Sequence, residues 1–107
     1  MQTSTATLTA LHSPYALSIF TDRLARYRRM PVDAHGFIVS IPDAGRVLVR
    51  QEGRSLTLNV VATDEKTLAA SMAAVVNELE QGFGRSDFRR SISLRWQRRD
   101  VVPAALR

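Results

Sequence analysis

The chain has no cysteine, a single lysine and a single tryptophan, and only two histidines, among 107 residues. Without cysteine it can form no disulfide framework, thiolate metal site or cysteine nucleophile. His12 and His35 lie far apart, and neither has a neighbour that completes a ligand set. One precedes a helix cap and the other a glycine turn, so both read as ordinary surface residues. The five glycines fall at turns or a helix end, which leaves no phosphate-cradling loop. "GFGRS" reads as helix end plus loop, not as a nucleophile elbow. The acids sit at turns, caps and exposed helical positions, so a general acid–base pair is not expected. Asp22 and Arg26 have the spacing of a helical surface pair. These absences argue against a conventional enzyme, and no cofactor or metal is expected.

No apolar run approaches the roughly 18 residues that a membrane span needs. Residues 1–12 show no basic stretch followed by an apolar one, so no secretory signal is expected and the cytoplasm is the default location. What is present fits a folded domain. Hydrophobic residues make up 45% and charged residues 23% of the chain, the balance of a soluble globular protein. The length allows one domain over residues 1–107, with an ordered core from about residue 4 to about residue 100 and a tail over 101–107.

Alternation and helical spacing give the order of elements. "STATLTA" alternates Ala6, Leu8 and Ala10 against threonines, as a strand does. Ser13 and Pro14 open a helix, which Leu17, Phe20, Leu24 and Tyr27 continue to a stop at Pro31. "GFIVSIP", "RVLVRQ" and "SLTLNVVA" follow as three strands, separated by "PDAG" and "EG" turns. Thr63 or Asp64 caps a second helix with a Leu68, Met72, Val75 and Leu79 stripe, ended by Gly82 and Gly84. "ISLRWQR" is the last strand. The expected fold is α+β: a two-layer sandwich with two helices on one face of a five-stranded, mostly antiparallel sheet.

Charge is concentrated near the end. The net charge is +5, and residues 85–99 alone hold six arginines against Asp87. A smaller cluster, Arg23, Arg26, Arg28 and Arg29, ends the first helix. In "RRSISLRWQRRD" the alternation turns Ile92, Leu94 and Trp96 inward and Ser93, Arg95 and Gln97 outward. The outward face would hold arginine and threonine but no aromatic ring. Sheet-type RNA binders stack bases on two or three aromatics there. Nucleic acid is therefore the alternative rather than the first reading, and a solvated, aggregation-resistant face suffices to explain the arginines. Ile38, Leu48 and Val61 also point outward by this phasing. As a cluster they would form a homodimer contact or the floor of a ligand groove.

The segments "TSTATLTA", "SPYALSIFTDRLARY", "GFIVSIP", "AGRVLV", "SLTLNVVATDEKTLAASMAAVVNELEQGF" and "ISLRWQR" together resemble a family of short bacterial proteins of unknown function. The resemblance spans roughly residues 3–98. It implies a link to iron acquisition, because some members lie beside, or are fused to, siderophore-interacting flavoproteins. Others carry a dihydroxyheptenedioate aldolase label, for which this chain has neither a metal-ligand set nor a barrel-sized length. Family members show histidines where this chain has "DRLARYRR", and often a cysteine at the position of Val47. The "GFGRSDFRRS" junction is longer here.

The reading that follows is a small, non-catalytic binding or accessory domain for an anionic small molecule or an acidic partner protein. Arg89, Arg95 and Arg99 would supply charge from the last strand, and Arg26, Arg28 and Arg29 from the end of the first helix. A third reading, an enzyme built from scattered polar residues, requires a concave pocket with convergent titratable groups.

Overall fold

The computed structural model describes residues 1–12, 15–83 and 90–106. The caps expected at Ser13, Pro14 and Gly84, and the candidate Arg89, lie outside the described residues. The elements are β1 (Gln2–Ala10), α1 (Tyr15–Leu24), β2 (Arg29–Asp33), β3 (Gly36–Ile41), β4 (Gly45–Glu52), β5 (Ser55–Ala62), α2 (Glu65–Phe83) and β6 (Ile92–Arg99). The strands form one sheet in the order β2-β3-β4-β5-β1-β6, and every neighbouring pair is antiparallel. The α+β sandwich expected from the sequence is present, with six strands instead of five.

The extra strand is β2. Helical spacing carries the first helix to Tyr27 and Pro31, but α1 ends at Leu24 and the chain turns back as an edge strand. Pro31 has no N–H to give a ladder and is tolerated at a sheet edge. There it faces Phe37, and the register shifts before Asp33. The early end of α1 also undoes the expected Asp22–Arg26 pair, because Arg26 lies beyond the last turn. Arg23 turns to α2 instead. Its Nε donates to Glu78 Oε1 at 2.7 Å, and the Tyr27 hydroxyl donates to Glu78 Oε2 at 2.9 Å. Glu78 is buried, and these two donors tie α1 to α2.

The phase of every strand is set by one core on the helix side. Ala6, Leu8, Val47, Val49, Leu58, Val60 and Ile92 meet Phe20, Leu24, Leu68, Val75 and Leu79 there, and Trp96 packs against that core. Burying these aliphatics is the main favourable term in folding, at about 25 cal/mol per Å² of apolar surface. Asp64 caps α2 by accepting the Thr67 N–H at 2.7 Å. The β4–β5 hairpin turns on Gly53, whose φ of 62° suits the first position of a tight two-residue loop.

A second, smaller core lies on the far side of the sheet. After β6 the chain crosses back over β1 and β5, and Ala104–Leu106 forms a short 3-10 turn. Leu106 is buried against Ile38 and Leu48, with Val61, Val102 and Ala105 packed around them. The segment expected as a tail is thus seated on the sheet through residue 106.

Candidate functional site: a pocket beside the first helix

The two described helices pack chiefly on β5 and β1, and the helix side of the β2–β3 hairpin, with Arg29 and Pro31 exposed and Phe37 half-buried, lies at the margin of that cover. A pocket of about 440 Å³ opens there, between α1 and the β2–β3 hairpin. Phe37, Val49 and Leu56 form its apolar floor, Thr21 of α1 one wall, and residues 33–36 its rim. Arg29 and Gln51 complete the polar lining.

Arg29 projects to the helix side because it pairs with Val39, a core residue. Its guanidinium carbon lies 5.2 Å from the Phe37 ring centroid, a cation–π contact that fixes the charge over the apolar floor. A second arginine, Arg50 on the outer face of the sheet, is committed to the rim. Arg50 Nη2 lies 2.8 Å from Asp33 Oδ2, while the other carboxylate oxygen accepts the His35 N–H at 2.8 Å. The His35 amide first, and Arg50 second, hold the Asp33 carboxyl below its ordinary range. The His35 carbonyl accepts the Gln51 N–H at 2.9 Å, fastening the rim to β4. With Asp33 neutralised by Arg50, Arg29 leaves the pocket electropositive. The arrangement suits a molecule with an apolar body and one anionic group.

The arginines expected to act together are divided between opposite edges and opposite faces. Arg29 lies on the helix side of β2. Arg26 and Arg28 are exposed in the connection that leads to it. Arg95 and Arg99 are exposed on the outer face of β6, opposite Thr7 and Thr3 of β1. Arg98, on the helix side, forks both oxygens of Glu65 at 2.6 Å. Ile38, Leu48 and Val61 do cluster on the outer face, and the chain's own Val102, Ala105 and Leu106 pack on them.

His35 reads as an ordinary surface residue from the sequence and Gln51 carries no signal there, yet both line the pocket. The signal that could have drawn attention to them was Pro31 before "DAHG", which marks an edge hairpin as well as a helix stop. The buried acid Glu78 offers no comparable site, since both of its oxygens are occupied by Arg23 and Tyr27. Among the described residues no group of histidines and acids is arranged to hold a metal, and no helix is long and apolar enough to cross a membrane. No family model, curated protein or solved structure matches this chain.

Proposed function

We propose that this protein is a small binding domain for an amphipathic organic anion, taken into the pocket between α1 and the β2–β3 hairpin. The observation that carries this reading is Arg29 poised over Phe37, above the apolar floor of the recess. The anion would pair with the guanidinium fork, and its apolar body would cover Val49 and Leu56. Thr21 and Gln51 would fix its orientation. The iron-linked form of the reading, a carboxylate-bearing siderophore as ligand, rests on the sequence resemblance alone. Asp33 and His35 line the rim, but Asp33 is spent on Arg50 and the His35 amide, which favours binding over catalysis.

Nucleic acid fits less well. Among the described residues, the outer face that carries Arg95 and Arg99 holds no aromatic side chain. Trp96, Phe37, Phe20 and Tyr27 all pack with the helix-side core, so the base-stacking half of such a surface is missing.

Calorimetric titration with hexanoate and benzoate, with benzamide as the neutral control, tests the reading. Both acids should bind and benzamide should not. Arg29→Gln should weaken the acids by about tenfold, the loss expected for one charge-assisted hydrogen bond. Equal binding by Arg29→Gln, or no heat from either acid, overturns it.

A further inference from the structure

The outer face of the sheet holds a second recess, of about 250 Å³, lined by Thr5, Glu52, Thr57, Asn59 and Arg99. Val101 and Pro103, at the start of the chain's return across the sheet, line it from above. It lies on the opposite face from the pocket beside α1. Its residues are set in rows by the register. Glu52 shares a row with Ser55 and Thr9, Thr57 with Thr7, Asn59 with Thr5, and Arg99 with Thr3. Glu52 and Arg99 therefore stand three two-residue steps apart along the strands and three strands apart across the sheet, about 25 Å between backbones. Both long side chains lean inward to line the same recess.

Each end is charged and uncommitted. Neither Glu52 nor Arg99 has an ion-pair partner among the described residues. Between them lie neutral hydrogen-bonding groups. Thr5 donates its hydroxyl to Asn59 Oδ1, and among the described residues the Asn59 amide N–H groups have no side-chain acceptor. Thr57 gives its hydroxyl proton to the Arg50 carbonyl and keeps its oxygen lone pairs. The sequence along the recess is thus anion, hydroxyl acceptor, amide donor, cation.

That order is complementary to a short peptide with free ends. We infer that this recess binds a di- or tripeptide, with its ammonium at Glu52 and its carboxylate at Arg99. A backbone carbonyl accepts from Asn59, and a backbone N–H donates to the hydroxyl oxygen of Thr57 or Thr5. An extended tripeptide spans about 10 Å, which the two side chains can bracket from their separated rows. A dicarboxylate would bring a like charge to Glu52, and a diamine would do the same at Arg99.

Titration of the full-length ¹⁵N-labelled protein with triglycine provides the test, read on the side-chain amide resonances of Asn59. These should shift and saturate. N-acetyl-triglycine, which lacks the ammonium, and triglycine amide, which lacks the carboxylate, should each bind about tenfold more weakly. Glu52→Gln should erase the preference for the free ammonium and Arg99→Gln the preference for the free carboxylate. Arg29→Gln, on the other face, should leave both intact. Both tested side chains are exposed, so the fold should survive their replacement. Motionless Asn59 amides at tens of millimolar triglycine would overturn the inference, as would equal binding of the capped forms or of glutarate.

Discussion

Arg50 reaches Asp33 at 2.8 Å by passing over Gly36, the β3 residue that pairs with both of them. A methyl group at position 36 would stand 3.0 Å from Arg50 Cγ and 3.3 Å from the Val49 carbonyl. A side chain there would make Arg50 Cγ and the Val49 carbonyl give way by a few tenths of an ångström, so the glycine eases the path of the ion pair that holds the pocket rim.

This relationship has a pH signature. The Asp33 carboxyl is lowered from an ordinary value of 3.8, by the His35 N–H first and by Arg50 second. A carboxyl whose pKa falls on folding contributes stability that is in place above the unfolded value and is lost as pH falls through the folded one. The rim should thus stay closed at pH 4 and above and loosen below it. Carbon NMR titration of Asp33 in Arg50→Gln should show its pKa rising only part of the way to the ordinary value, because the His35 amide remains. A pKa unchanged by that substitution would mean that Arg50 does not hold the carboxylate in solution.

The phase of β6 makes opposite forecasts for adjacent residues. Trp96 packs on the core while Arg95 is exposed. Trp96→Ala should cost about 2 kcal/mol, less than the full-burial figure because the indole keeps part of its surface in water. Arg95→Ala should change stability by under about 0.5 kcal/mol. Urea denaturation of the two variants checks both, and a reversed order would require the strand to be flipped.

Alternation in "ISLRWQR" was enough to set this phase, because strand side chains alternate strictly and one face must be buried. The same logic placed Ile38, Leu48 and Val61 together on the outer face. It could not tell what covers them, since Leu106 lies more than forty residues from any of the three and "VVPAALR" has no strand or helix period. The pocket was illegible for a related reason. It lies beside an edge hairpin at the margin of the helices' cover, which depends on a strand order that local patterns do not encode. Arg29 was singled out for its charge, whereas its seat on Phe37 required the reversal of the chain after Leu24.

The helix pair should depend on one buried acid. Glu78 takes its two hydrogen bonds from Arg23 and Tyr27. Glu78→Ala leaves the largely buried guanidinium of Arg23 without its counter-ion and should cost about 3 kcal/mol. Tyr27→Phe removes one donor and should cost about 1 kcal/mol. The same bond raises the Tyr27 hydroxyl's pKa, chiefly because the donated proton is held by Glu78 and secondarily through burial. Alkaline absorbance titration should accordingly find a tyrosine that ionises above the ordinary value of 10.0 in the native protein, and its pKa should fall in Glu78→Ala.

The return of the chain over the outer face should be severable without harm to the main core. Leu106 is the buried anchor, with 7% of its surface exposed, and it rests on Ile38 and Leu48. A polar contact nearby is long, from Arg46 Nη2 to the Ala105 carbonyl at 3.5 Å. The buried anchor is an apolar side chain, and Leu106→Asp should cost about 2 kcal/mol, the value of burying one leucine side chain. The variant should keep its far-ultraviolet spectrum, because the helix-side core has no part in the contact. It should bind a hydrophobic dye that the parent does not, since Ile38, Leu48 and Val61 would then face water. Light scattering of the same variant gives the second readout. If the uncovered patch is self-complementary, the variant dimerises as its concentration rises while the parent, with its patch covered, does not. A parent that already binds the dye strongly would show that the C-terminal segment is not seated in solution.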